Sequence, residues 1–187
     1  MSEPKVRDLM LSSYQCATVS ENASLCEAVI VMEATRKMYQ RWDYRPRIVL
    51  VLNEKQNVIG TVRHYDILRA LEPHYKEFGL TPQAFGSETA TEFIQSTYQH
   101  FDMWKGDLEA RCKKASELKV THLMKTPART EFINVEIPLC EAIHRMLMGN
   151  HPSLIVSDSG GFLGILRMSD VANYVINTLK TLCTAAG

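Results

Sequence analysis

Two aspartates, Asp66 and Asp170, each follow an arginine by three residues, Arg63 and Arg167, shortly after a glycine, Gly60 and Gly164. A carboxylate at a helix start can accept two hydrogen bonds from a vicinal diol, and ionised acceptors make the stronger bonds. A guanidinium is a permanently charged fork suited to phosphate oxygens. Plainer readings stay open beside these. Asp is favoured at the start of any helix, and an Arg can fill a cleft and pair with a local carboxylate.

The pairs come from a longer duplication. Leu25-Cys26-Glu27-Ala28 with Met32 recurs as Leu139-Cys140-Glu141-Ala142 with Met146, an offset of 114 residues. Val6 to Met10 lines up with Val120 to Met124 at that same offset. Gly60 to Ile67 matches Gly164 to Val171 at an offset of 104. Blocks in the same order, differing by one ten-residue insertion, mean a repeated structural unit.

Each copy reads as a lead-in, a short extended stretch, a helix, two strands and a closing helix. The extended stretches are Ala17-Thr18-Val19 and Phe132 to Val135. Ser24 with Glu27 has capping-box spacing, and Pro138 suits a first helical turn. Leu25, Ala28, Val29 and Met32 recur at helical steps, as do Leu139, Ala142, Ile143 and Met146. Cys26 and Cys140 share those helices and are read as small core residues. The apolar run Ile48 to Leu52 suits a buried strand. Gly160-Gly161 marks a turn before the last strand of the second copy. The fold class is α+β, built from two β-α-β-β-α units. The expected boundaries are 1–71 for the first repeat, 72–119 for an inter-repeat segment and 120–187 for the second repeat. In the middle segment Ile94, Tyr98, Phe101, Trp104, Leu108 and Cys112 step by three and four, which predicts an amphipathic helix bent near Gly106.

Composition removes several function classes. Lys plus Arg and Asp plus Glu number 21 each, so no overall basic field recruits nucleic acid. A local cluster around Arg36, Lys37, Arg41, Trp42 and Arg45 is read as a helix end with a solvated basic face. The longest apolar run is far short of a membrane span. Five cysteines without CxxC spacing, and six histidines without ligand spacing, predict neither disulfides nor a metal site. GxxxxGK[ST], GxSxG and HExxH are absent, and the chain is not expected to be an enzyme. A cytoplasmic location is the simplest expectation.

The order and duplication of these motifs resemble a CBS domain pair, also called a Bateman module. Val6, Asp8, Met10, Leu25, Glu27, Ala28, Met32, Gly60, Val62, Asp66 and Ile67 fit the family pattern in the first repeat. Val120, Met124, Leu139, Glu141, Ala142, Met146, Gly164, Ile165, Leu166, Asp170 and Val171 fit it in the second. The resemblance implies two repeats packed sheet to sheet about a pseudo-twofold axis, between which the helical insert read above would lie. It implies clefts for adenosine nucleotides (AMP, ADP or ATP) or related adenosyl ligands, and a homodimer that regulates another protein. In such modules the Asp binds ribose hydroxyls, which points to Asp66 and Asp170. Arg63 and Arg167 depart from the pattern by standing where a Ser or Thr meets phosphate, and they suggest more anionic ligands. Thr18 and Phe132, beside Ala17 and Glu131, fall on the stretch that frames the base. His64 and Met168 would line the cleft mouth. The alternatives are a ligand-free scaffold for protein assembly and, less favoured, a nucleic-acid-binding module.

Overall fold

A computed structural model describes residues 3–39, 47–72, 96 and 107–185. The first repeat runs β2 (Thr18–Ser20), α1 (Leu25–Met38), β3 (Ile48–Leu52), β4 (Val58–Arg63), α2 (His64–Ala70). The second runs β5 (Phe132–Asn134), α4 (Leu139–Met148), β6 (Ser153–Asp158), β7 (Gly161–Arg167), α5 (Met168–Ala185). Both have the expected β-α-β-β-α order. A short strand β1 (Leu11–Ser12) precedes the first repeat, and α3 (Leu108–Ser116) lies between the two.

The sheets are built alike. β2 pairs parallel with β3, and β3 pairs antiparallel with β4; β5, β6 and β7 repeat this arrangement. The register shifts at the same place in each copy, after Val51 and after Val156. Alternation along β3 explains its unbroken apolar run. Val49 and Val51 join the core of the first repeat, while Leu50 joins a second layer with Ile155 and Ile165. Leu154 and Val156 face the core of the second repeat. The strands are therefore apolar on both faces because a helix layer covers one and the opposite sheet the other.

The lead-ins are exchanged. β1 adds antiparallel to β7, pairing Leu11 with Ile165 and Ser12 with Gly164. In return Lys125 bridges Thr61 of β4, each amide bonding the other's carbonyl at 2.9 Å. Val6 N–H donates to Ile137 O (3.0 Å), and Val120 N–H donates to Ala23 O (2.9 Å). Leu139 N–H donates to Pro4 O, and Leu25 N–H to Leu118 O, both at 2.8 Å. Each lead-in thus supplies a carbonyl to an orphan N–H in the first turn of the other repeat's helix. Val6 is buried in the second core, and Val120 and Leu123 are buried in the first. Gly60 and Gly164 make the crossings possible. A Cβ on Gly60 would lie 2.0 Å from Met124 Sδ, and one on Gly164 would lie 1.9 Å from Leu11 O.

Ser24 and Glu27 form the expected capping box, with Glu27 N–H to Ser24 Oγ at 3.2 Å and Ser24 N–H to Glu27 Oε2 at 2.7 Å. Pro138 stands one place earlier than expected, at the N-cap of α4. The reading of Cys26 and Cys140 as core residues is corrected: both are exposed. The buried stripes are Leu25, Ala28, Met32 and Leu139, Ala142, Met146. A residue directly after the leucine lies about 100° further round the helix, away from the rest of the stripe. In the inter-repeat helix only Ser96 and α3 fall within the described residues. Asp107 caps α3 by accepting from Glu109 N–H at 3.1 Å. Leu108 and Cys112 are exposed there, and Ala115 alone on that helix is buried.

Candidate functional site

β4 and β7 each end in an arginine that leads directly into a helix, so the arginine and the helix's third residue meet on one turn. Arg63 is the N-cap of α2, and its extended backbone (φ −108°, ψ 168°) points its amide at Asp66. Asp66 Oδ2 accepts from Arg63 N–H at 2.9 Å and from Nε at 3.0 Å, and Oδ1 accepts from Nη2 at 3.3 Å. The second copy matches, with Arg167 Nε to Asp170 Oδ2 at 2.6 Å and Nη2 to Oδ1 at 2.5 Å. Each Asp therefore holds the guanidinium of its own motif in a two-pronged ion pair. The pairing with a local carboxylate anticipated for the arginines is the arrangement seen.

Each arginine also acts electrostatically on a group of the other repeat. Arg63 feels the charge of Glu131, which lies just before β5; the bond to Asp66 chiefly, and these carboxylates together, hold its guanidinium more firmly protonated. Glu131 accepts from Lys125 Nζ at 2.8 Å and from Ala128 N–H at 3.0 Å. Burial pushes its carboxyl up, but these bonds outweigh it and leave it below the usual range. Thr130 Oγ1 lies 3.2 Å from His151 Nε2. Across from Arg167 stands Cys16, whose thiol is pushed up to about 12 by burial, against the opposing pull of Arg167. Cys16 Sγ donates to Ser12 O at 3.3 Å.

The remaining candidates are placed as follows. Thr18 opens β2 opposite Leu50, and Phe132 opens β5 opposite Ile155. Phe132 packs on the layer between the sheets, beside Leu50 and Ile165, as a core aromatic does. His64 begins α2 and is exposed. Met168 packs against the second core and stays partly exposed at the start of α5. Arg36 pairs with Glu33 on the same helix at 2.8 Å, in keeping with a solvated helix end. Arg41, Trp42 and Arg45 lie outside the described residues.

Two acidic residues carry more of this region than their sequence suggests. Glu131, on the stretch read as framing a base, is instead bonded to Lys125 and the Ala128 amide. Glu72, placed at the head of the inter-repeat segment by sequence, is 1% exposed and paired with Arg111 Nη1 at 2.6 Å. No local pattern marks it. Among the described residues no group of three or more His, Cys, Asp and Glu could hold a metal ion. None of the described helices is long and apolar enough to cross a membrane.

Comparison with known proteins accounts for this doubled arrangement. The model of the CBS domain matches residues 6–73 and again residues 120–177. The chain belongs to the CBS domain family. Its two CBS repeats form a tandem pair whose α+β fold recurs in solved structures. A CBS domain-containing protein of unknown function from Bacillus anthracis is similar at a TM-score of 0.61 and 18% identity, covering 93% of this chain and 94% of that one. A protein of the same description from Kribbella flavida has a TM-score of 0.61 at 15% identity, covering 92% and 98%. CBSX2, solved in complex with AMP, has a TM-score of 0.58 at 17% identity, covering 92% and 97%. No curated protein matches the chain.

Proposed function

We propose that this CBS pair is a regulatory module that binds an adenosine nucleotide at its Arg–Asp motifs and signals by shifting the arrangement of its repeats. The observation that carries the reading is the pairing of Arg63 with Asp66 and of Arg167 with Asp170, each beside a segment of the opposite repeat. A nucleotide presents both halves of what such a motif exchanges. Its phosphates compete for the guanidinium, and its ribose diol replaces the guanidinium on the carboxylate. A long, fully charged donor in place of a hydroxyl favours ADP and ATP over AMP. The AMP held by CBSX2, a protein of the same fold, supports the class of ligand.

The exchanged lead-ins give the signal a route. Lys125 bonds β4 through its backbone and Glu131 through its side chain, so whatever displaces Glu131 loads a bridge between repeats. A ligand shifts this balance only as far as its affinities for the two arrangements differ. Assembly into a homodimer is part of the reading. Val175, Leu179 and Leu182 leave an apolar face exposed on α5, and Leu147 and Met148 are exposed at the end of α4.

A thermal-shift series with AMP, ADP, ATP, S-adenosylmethionine and cyclic dinucleotides tests the proposal. At about 100 times the dissociation constant a true ligand adds about 2.7 kcal/mol, a rise of about 2–4 °C per kcal/mol for a chain of this size. The shift is expected to vanish in the double variant Asp66→Ala, Asp170→Ala. No shift with any ligand, in folded protein, sinks the proposal. It would favour the scaffold reading, which the occupied carboxylates also fit.

A further inference from the structure

We infer that α5 is an assembly helix: its projecting end pairs with the same helix of a second copy through a seam of Val175, Leu179 and Leu182. The pairing rests on the homodimer part of the proposed function and adds the surface that makes it; it does not depend on nucleotide binding.

α5 outgrows the repeat it closes. α2 stops at Ala70, whose counterpart at the 104-residue offset is Tyr174, whereas α5 runs on from Val175 to Ala185. The match to the CBS domain ends at residue 177, so about the last two turns of the helix lie outside the repeat pattern. Val171 is buried in the second core, but every residue from Ala172 to Thr184 is exposed. Exposure grows along the helix, from 38% at Val175 to 54% at Leu179 and 62% at Leu182, so its end leaves the body of the protein.

The apolar residues on this end are ordered. Ala172, Val175, Leu179 and Leu182 step by three, four and three. That is the spacing at which two helices lie lengthwise with their side chains interlocked. Away from the seam, Thr178 and Thr181 hydroxyls donate to Tyr174 O and Asn177 O, both at 3.0 Å, and Thr184 donates to Lys180 O at 3.1 Å. These hydroxyls are satisfied by their own helix and ask nothing of a partner.

A second copy suits this face. From Val171 to Ala185 the one charged residue is Lys180, which stands off the seam. Two such faces meet without setting like charges against each other, and a partner recognised by its charge finds nothing on the seam to pair with. Identical faces brought together about a twofold axis complement each other residue for residue. The stretch from Val175 to Ala185 spans about 16 Å, short for the roughly 800 Å² per partner of a standard interface. α4, which packs beside α5, offers Leu147 and Met148 as further exposed apolar surface. The dimer is therefore one that dissociates on dilution.

Analytical ultracentrifugation of the full chain over a concentration series, for the wild type, Leu179→Glu and Asn177→Glu, tests this. Asn177 lies about 160° round the helix from both Val175 and Leu179, so it controls for added charge. The wild type is expected to dimerise reversibly. Leu179→Glu is expected to raise the dimer dissociation constant about tenfold or more, and Asn177→Glu to leave it unchanged. Leu182→Glu, the next seam position, repeats the test where Leu179→Glu folds poorly. A wild type that stays monomeric up to about 1 mM overturns the inference and the homodimer with it. A dimer that the seam variants leave intact, or that Asn177→Glu weakens equally, overturns the seam alone. Monomeric Leu179→Glu is expected to keep its thermal shift with ATP; absence of that shift in the wild type sinks the nucleotide reading and leaves the seam standing.

Discussion

After α2 the first repeat turns inward: Glu72 is buried and paired with Arg111 of α3. At the corresponding place in the second repeat Ile176 sits on α5, a helix of 18 residues against the 7 of α2, and is exposed. The same closing motif therefore ends in a sealed corner in one copy and in an open apolar helix in the other. The backbone exchanges, glycine crossings and strand registers are matched between repeats, whereas the side chains around them have diverged. Symmetry is maintained where hydrogen bonds between repeats depend on it. Individual chemistry sits in the positions those bonds do not constrain, Glu131 against Ala17 and Glu72 against Ile176.

Substitutions that break the comparison should be unequal in the same sense. Glu72→Ala leaves Arg111, itself partly exposed, without that carboxylate and should cost about 3 kcal/mol, whereas Ile176→Ala should stay within about 0.5 kcal/mol. Urea unfolding of the two variants measures this directly, and similar losses would show the corner to be unimportant. Next come the crossing glycines. A methyl on Gly164 meets the backbone oxygen of Leu11, which can move only with β1, and should cost about 3 kcal/mol. One on Gly60 meets the Met124 side chain, which can rotate away, and should cost about 1 kcal/mol. Equal costs would mean that the first repeat's crossing is as rigid as the second's.

The smallest effect separates Cys16 from its counterpart Thr130. Below about pH 8.5 the thiol is protonated in folded and unfolded chains alike. Above that the unfolded thiol ionises while the folded one keeps its proton up to about 12. The folded state therefore loses stability as pH rises, on the order of 1 kcal/mol by about pH 9.5. Melting curves from pH 8 upward should show this in the wild type and less of it in Cys16→Ala. Parallel curves would contradict the buried, neutral thiol.

Most of the fold could be read from the chain because its signals are local. Helical spacing, the Ser24–Glu27 box and the apolar run at Ile48 each depend on residues a few places apart. The exchange of lead-ins could not be read this way. Val6 and Val120 look alike in either arrangement, and periodicity does not say which sheet a strand joins. The exposure of Cys26 is not legible because neighbouring apolar residues do not reveal which of them heads the buried stripe. At the site, the Arg–Asp spacing was visible, since three residues along a helix start brings side chains together. Glu72 was hidden because its partner, Arg111, is 39 residues away.

The crossing of the lead-ins also has a consequence for how the chain is made. During synthesis residues 6–12 leave the ribosome well before their partners at Ile137, Gly164 and Ile165. At about 5–20 residues per second the leading segment waits on the order of ten seconds before it has anything to pair with. The first repeat waits too, since its own core lacks Val120 and Leu123 until the second repeat begins to emerge. Neither half can mature alone on the ribosome, and a chaperone that shields short unpaired strands would find its client in this interval.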